Sequence, residues 1–526
     1  MSLQDSGSGQ VGRSGRASDA SAATGFVRCG GEPAGRAGPL DHPGADWAGL
    51  RVLVTGLGVS GFAAAADALL ERGAVVRGLD SGSSEALSQR CEILGVLGAD
   101  LVLGDEAAAA LADPAASSVL DDIDLVVTSP GWRPSSPVFV EADARGIPVW
   151  GEVELAWRMR PEGAAPWVTI TGTNGKTTTV QMLHSIFTAA GLRSRAVGNV
   201  GTPIMEAVLD PEPYDVLAVE LSSFQLHWQN SLSPVASVCL NVAPDHVDWH
   251  GSLEEYRAAK GRVYANTHVA CVYNVEDETT RELVEDADVV EGARAVGFTL
   301  GTPAVSMVGL VEDVLADRAF VENRRTSAAE LGTIADLQRG SVAPPPHVIA
   351  NALAAAALAR AAGVPPLAVR EGLRTFTPEA HRIAEVAREG DVTWIDDSKA
   401  TNPHAAAASL RAFTDVVWIA GGLLKGADVD DLVREHAARL RGVVLLGRDR
   451  ERLAEALGRH APEVPVIDVP ETDTGAMTRI VEAAASLARP GDVVLLAPAA
   501  ASMDMFRNYE VRGEAFADAV RAHHGH

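Results

Sequence analysis

The chain has 526 residues, 22% of them charged and 47% hydrophobic, with a formal net charge of −26. That length exceeds one ordinary hydrophobic core and implies about three domains. So acidic a surface repels nucleic acid and anionic membrane, so neither is an expected partner.

No apolar run approaches the roughly 18 residues of a membrane span. Residues 1–46 are rich in Gly, Ser, Ala and Arg and lack the apolar centre of a signal peptide, which predicts a disordered extension on a cytoplasmic protein. Cys29, Cys91, Cys239 and Cys271 form no CxxC pair and no metal-ligand spacing, as expected of unpaired thiols in a reducing compartment.

In chain order, Arg51-Val-Leu-Val-Thr is a predicted strand and Gly56-Leu-Gly-Val-Ser-Gly61 a glycine turn. Phe62 to Arg72 follows as a helix, and Ala74 to Leu79 as a strand ending at Asp80. Strand, turn, helix, strand is a βαβ unit. Asp124 to Gly131 is a later strand with a tight turn. A second block opens with the strand Val168-Thr-Ile-Thr and a helix running to Ala190, with further strands at Asp215–Glu220 and Val235–Asn241. The Ala-rich stretch from Val348 to Ala362 is a buried helix. A third block alternates the apolar strands Val392–Asp396, Val416–Ala420, Val443–Leu446 and Val493–Ala497 with helices. The fold expected is α/β, with three domains in series. They are a Rossmann-like N-terminal domain at 47–165, a central P-loop ATPase-type domain at 166–378 and a C-terminal Rossmann-like domain at 379–526.

The strongest motif is Gly172-Thr173-Asn174-Gly175-Lys176-Thr177-Thr178, between a strand and a helix. Its glycines let backbone N–H groups turn onto phosphate oxygens, and the helix N-terminus adds a positive dipole. Lys176 would reach the β- and γ-phosphates of a nucleotide, and the Thr177 hydroxyl would bind Mg²⁺. Glu220 ends a strand, where an open α/β sheet places its ligands, and could hold Mg²⁺. Asp245, His246, Asp248 and His250 form a polar loop suited to metal or acid–base work, or to solvation alone. Tyr256 to Tyr264 is an amphipathic helix whose Lys260, on its own, would be an ordinary exposed lysine.

Lysine is scarce. It stands only at Lys176, Lys260, Lys399 and Lys425, and every other basic side chain among the 44 Lys and Arg is arginine. Positions that keep lysine in such a chain call for a compact ammonium, or for an amine that can lose its proton. Lys399 lies in Asp396-Asp397-Ser398-Lys399-Ala400-Thr401-Asn402, after His381-Arg382, and Lys425 in Gly421-Gly422-Leu-Leu-Lys425. With Ser502-Met503-Asp504-Met-Phe506, these segments each follow a strand and could face one cleft that binds an anionic substrate. The Gly56–Gly61 turn with Asp80 fits a nicotinamide dinucleotide or a uridine nucleotide.

Together these segments resemble the Mur ligases over nearly everything after Gly49. Glu220-Leu-Ser-Ser-Phe-Gln-Leu226 looks like the branch that adds D-glutamate, and the GTNGKTT loop is also shared with folylpolyglutamate synthases. The resemblance implies ATP and two Mg²⁺ ions as cofactors, and UDP-N-acetylmuramoyl-L-alanine and D-glutamate as substrates, on a monomer. It implies nucleotide contacts from Gly172 to Thr178, Asn351, Arg382 and Asp397. Metal ligands would be Thr177, Glu220, His246 and a carbamylated Lys260, with Lys176 and Lys399 joining them in catalysis. Sugar-nucleotide contacts fall on Val59, Ser60, Asp80, Ser81, Ser129, Gly131 and Asn199. D-Glutamate contacts fall on Thr401, Lys425, Ser502, Met503 and Tyr509. The chain departs from the family at Val348, where Asn is frequent, at Tyr509, where Phe is frequent, and after Asp80, where some members carry Arg. The alternatives are an amide ligase for another amino acid or for folate, a nicotinamide dehydrogenase built on the Gly56 turn, and a silent nucleotide-binding module.

Overall fold

The computed structural model describes residues 45–525, except Val59, Ser83, 340–342, Glu379 and Thr474, together with Val27, Cys29, Glu32 and Leu40 upstream. The extension expected over 1–46 thus lies almost wholly outside the described residues, as does Val59. Two compact units divide the chain. The first runs to Ala164 and takes in Pro203–Pro213 and Ser223–Leu232; the second holds the remainder. No described helix is long and apolar enough to cross a membrane.

In the first unit β1 (Arg51–Thr55), β2 (Val75–Asp80), β3 (Asp100–Leu103), β4 (Leu125–Thr128) and β5 (Val149–Gly151) form a sheet of order β3-β2-β1-β4-β5. All its pairings are parallel. The chain leaves β1 toward β2 on one side and reaches β4 on the other, so a crevice opens at the carboxyl end of β1. The later segments are tied in by backbone: Gly151 N donates to Trp228 O at 2.7 Å, and Glu154 Oε2 accepts from Asn230 N and Ser231 N at 2.7 and 2.8 Å.

The second unit contains two sheets. The larger comprises β6 (Trp167–Thr171), β7 (Ser194–Gly198), β8 (Val216–Glu220), β9 (Ala236–Cys239), β10 (Ala270–Asn274), β11 (Arg294–Phe298), β12 (Met307–Val311), β13 (Val314–Asp317) and β14 (Ala329–Thr333). Its order is β14-β13-β12-β11-β10-β9-β6-β8-β7, parallel from β7 to β12 and antiparallel at β13 and β14. No element is expected from the sequence between Tyr264 and Pro344; five of these strands lie there. The other sheet comprises β15 (Ala384–Glu389), β16 (Val392–Asp396), β17 (Val416–Gly421), β18 (Leu440–Leu446), β19 (Val466–Asp468) and β20 (Val493–Leu496), in order β15-β16-β20-β17-β18-β19. Only β15 is antiparallel.

The helix Pro346–Ala361 is the buried one expected, with Ala352 and Ala354–Ala357 fully buried against the larger sheet. Alanines keep its girth small, so it can lie deep while Asn351 reaches the ligand edge. Arg360, near its other end, pairs with buried Asp317 at 2.9 Å. The helix Pro366–Thr375 packs equally close: a Cβ on Gly372 would lie 2.3 Å from Ile186 Cα. Gly372→Ala must therefore push two helices apart. We expect a loss of about 1–3 kcal/mol, seen as a lower urea midpoint at unchanged slope; an unshifted midpoint would contradict this packing.

Candidate active site

Four residues, Gly172 to Gly175, join β6 to the helix Lys176–Ala189. Gly175 has φ 84°, and a Cβ there would lie 2.5 Å from Asn351 Oδ1. Only glycine lets the turn rest against that amide. The loop is braced on several sides. Asn241 Oδ1 accepts from Asn174 N at 2.9 Å, and Asn241 Nδ2 donates to Asn174 O at 3.1 Å. The Thr173 hydroxyl accepts from Ala243 N and shares a hydrogen bond with Tyr256 Oη, both at 2.9 Å. Lys176 curls over its own loop, donating to the Gly172 and Thr173 carbonyls at 2.9 and 3.0 Å. Burial pushes its pKa down, while Glu220 and Asp245 act the other way. Thr177 and Thr178 are buried in the first helical turn.

Glu220 closes β8 and is buried. Its Oε1 accepts from Asn199 Nδ2 at 2.8 Å, whereas buried Oε2 has no hydrogen-bond partner among the described residues. An ionised oxygen sealed from water is costly unless a positive group meets it. A hard cation suits it.

Lys260, expected from its helix alone to be exposed, is only 1% so. It stands near the end of the helix Leu253–Gly261, 4.7 Å above the Tyr256 ring. Burial, with Lys176 nearby, pushes its pKa from 10.5 to about 7. His246, at φ 51°, precedes the short helix Val247–His250. Burial lowers its pKa, Asp245 opposes this, and Lys176, Lys260 and Lys425 lower it further. Three of the four lysines thus act on one imidazole.

The loop after β16 reaches the phosphate loop. Asn402 caps the helix Pro403–Arg411 through Ala405 N at 2.8 Å, and its Nδ2 donates to Asn174 Oδ1 at 3.2 Å. Asn174 Nδ2 lies 2.9 Å from His404 Nδ1. Asp397 is buried, accepts from the Ser409 hydroxyl and Ile383 N, and is pushed by that burial to a pKa of about 6, with Arg382 opposing. Lys399 Nζ sits 3.8 Å over the Tyr509 ring, and Thr401 N donates to Lys399 O at 2.8 Å. Ser502 is buried, Met503 is 63% exposed, and Lys425 is exposed at φ 50°.

In the first unit, Asp80 is fully engaged by backbone: its carboxylate accepts from Gly58 N and Gly82 N, both at 2.7 Å. It braces the glycine turn, and Arg90 Nη1 bonds the same turn at Gly58 O, 2.6 Å away. A Cβ on Gly56 would lie 2.2 Å from Ser129 Oγ, so the β1 and β4 ends meet at that glycine. Ser81 and Gly131 are exposed at this edge, and Ser60 opens the helix Ser60–Glu71. Asn199, expected among the sugar-nucleotide contacts, is in the second unit with Glu220.

Residues 170–359 match the Mur ligase middle domain, and 381–500 the Mur ligase glutamate ligase domain. The chain is 59% identical over 476 residues to a UDP-N-acetylmuramoylalanine–D-glutamate ligase of Streptomyces avermitilis, covering 90% of this chain and 99% of the relative. A ligase of the same name from Thermobifida fusca is 57% identical, covering 90% and 98%. The chain belongs to the Mur ligase family. Two solved structures share its fold. One is a pseudomurein peptide ligase of Methanothermus fervidus, with TM-score 0.54 at 16% identity over 90% of this chain and 99% of that one. The other is the UDP-N-acetylmuramate–alanine ligase of Thermotoga maritima, with TM-score 0.52 at 18% identity over 90% and 100%.

Several residues around this site are not among the candidates read from the sequence. Asn241 and Tyr256 brace the phosphate loop, and His404 and Arg512 hold loops of the C-terminal sheet. Tyr256 had one usable mark, a place one helical turn before Lys260 on the same face.

The Lys260 shift has a definite sign. Its folded pKa lies below the unfolded one, so between about 7 and 10.5 the unfolded chain binds more protons and stability rises with pH. Cys239, raised from 9.0 to about 12, opposes this only above pH 9. In metal-free, CO₂-free buffer the melting temperature should therefore climb from about pH 7 to 9, and Lys260→Met should flatten the climb. Equal slopes would mean that water reaches the amine.

Proposed function

We propose that the chain joins D-glutamate to UDP-N-acetylmuramoyl-L-alanine at the expense of ATP, in cytoplasmic synthesis of the peptidoglycan precursor. The observation that carries this reading is 59% identity to a ligase of that name across 99% of its length. The phosphate loop, Glu220 and Lys260 on one sheet edge supply the matching chemistry. We assign the sugar nucleotide to residues 47–165, ATP to 166–378 and the incoming amino acid to 379–526.

Loop N–H groups and Lys176 bind the β- and γ-phosphates. In the structure Lys176 spends its donors on two neutral carbonyls, which an anionic phosphate outcompetes. Asn351, Arg382 and Asp397 border this loop on the nucleotide side. The L-alanyl carboxylate attacks the γ-phosphorus, ADP leaves, and an acyl phosphate forms. The D-glutamate amine attacks its carbonyl carbon, and the tetrahedral intermediate expels phosphate. Lys399 and Lys425, with Thr401, Ser502, Met503 and Tyr509, receive the dicarboxylate amino acid, and Asn199 orients the sugar acid beside Glu220.

The donor set fits magnesium: a Glu220 oxygen without a hydrogen-bond partner among the described residues, the His246 imidazole, whose pKa is lowered, and the Thr177 hydroxyl. Bound there, two Mg²⁺ ions would neutralise charge on the transferring phosphoryl group. Lys260 fits the same site as a carbamate. Its buried amine, uncharged in much of the population near pH 7, adds to CO₂ and releases a proton, turning a would-be cation into a carboxylate-like ligand.

ATP-dependent phosphate release, measured with UDP-N-acetylmuramoyl-L-alanine and a panel of amino acids, should appear with D-glutamate alone. Release with another acceptor would keep the family and reassign the pocket. Lys260→Ala should lose about 10²-fold or more in kcat and recover partly with acetate, whereas Lys260→Arg should stay inactive, since it puts a permanent cation beside the metal. Full activity of the Ala variant without acetate would refute the carbamate.

A further inference from the structure

The helix Tyr509–His524 brings Arg512 to the ligand edge of the C-terminal sheet within its first turn. Arg512 is 1% exposed and forms no ion pair among the described residues. Its guanidinium instead spans two loops. Nε donates to Ser398 Oγ at 2.9 Å and Nη2 to Ser398 O at 2.8 Å, while Nη1 donates to Ala500 O at 3.1 Å. Ser398 lies on the loop after β16, directly before Lys399; Ala500 lies on the loop after β20, two residues before Ser502. The Ser398 hydroxyl in turn donates a hydrogen bond to the Tyr509 carbonyl at 2.7 Å, and the Tyr509 ring carries Lys399 Nζ.

The seat is tight. A Cβ on Gly513 would lie 2.2 Å from His381 Nδ1 and 2.8 Å from Asp396 Oδ2. His381 and Asp396 bond each other at 2.6 Å, and Asp396 Oδ1 accepts from Ser398 N at 2.9 Å. Burial depresses the Arg512 pKa to about 10, with Asp504 and Asp396 resisting. Neither carboxylate forms an ion pair with it, and a buried cation so placed weakens a fold where an apolar side chain of similar size would fill the space. What an apolar side chain lacks is a rigid planar fork that donates in three directions at once.

We infer that Arg512 is a positioning residue for the acceptor amino acid: it clamps the Lys399–Thr401 loop to the Ser502 loop and, through Ser398 and Tyr509, fixes the Lys399 amine where a dicarboxylate amino acid binds. This rests on the assignment of that pocket to D-glutamate. Arg512 is sealed beneath the two loops it joins, so its effect must appear in the affinity for the amino acid and not in nucleotide binding.

The test compares wild type with Arg512→Lys, Arg512→Met and Ser398→Ala in the full chain. KM is measured separately for D-glutamate and ATP by phosphate release, alongside melting temperature. Arg512→Lys can bridge one loop at a time and should raise the D-glutamate KM about tenfold, with the ATP KM unchanged within about twofold. Arg512→Met should exceed it, so that lysine counts as partial rescue. Ser398→Ala keeps both carbonyl bonds, loses the hydroxyl that accepts from Arg512 Nε and donates to Tyr509 O, and should fall between wild type and Arg512→Met. If Arg512→Met does not fold, the other two variants decide. A fall in melting temperature with both KM values unmoved, or with both raised equally, would overturn the proposal. Failure of the substrate assignment is distinguishable, because wild type itself would then show no D-glutamate-dependent release.

Discussion

At the edge of the nine-stranded sheet a carboxylate and an amine are both sealed from water. Among the described residues one Glu220 oxygen has no hydrogen-bond partner, and Lys260 lies over the Tyr256 ring with its affinity for a proton sharply reduced. Neither arrangement favours the empty protein, because each removes a polar group from solvent without full compensation. The surrounding scaffold holds these two groups in place.

That scaffold works through strand ends. β6, β8 and β9 are neighbours in the sheet, so the phosphate loop, Glu220 and the Asn241–His246 loop emerge side by side. The positive φ of Gly175 brings the loop against Asn351, which arrives on a helix thin enough, by its alanines, to lie buried. Asn174 then meets Asn402 and His404 from the other sheet of the same unit. The Gly172–Gly175 loop and the loop after β16 are therefore connected by hydrogen bonds.

Arginine and lysine divide the work by chemistry. Arg512, buried, and Arg360, partly buried, stand where a planar fork spans several acceptors. Lysine stands where an amine curls over its own loop, as at Lys176, where burial weakens its hold on a proton, as at Lys260, or where a point charge rests on a ring, as at Lys399. Lys425 is exposed, and its reach toward His246 is electrostatic.

The sequence by itself determined the three βαβ arrays, the glycine loop that opens a helix, and the set of lysines, because each rests on local spacing and backbone preference. The buried helix at Pro346–Ala361 was legible for the same reason. The strands between Tyr264 and Pro344 were not, since their pairing and burial depend on distant partners. Only the tertiary structure decided that Lys260 is inside, that one Glu220 oxygen is orphaned, and that Asp80 spends both oxygens on its own turn. It also singled out Arg512 from the many arginines of the chain. Burial and hydrogen-bond partners are set by residues tens or hundreds of positions away, and no local pattern encodes them.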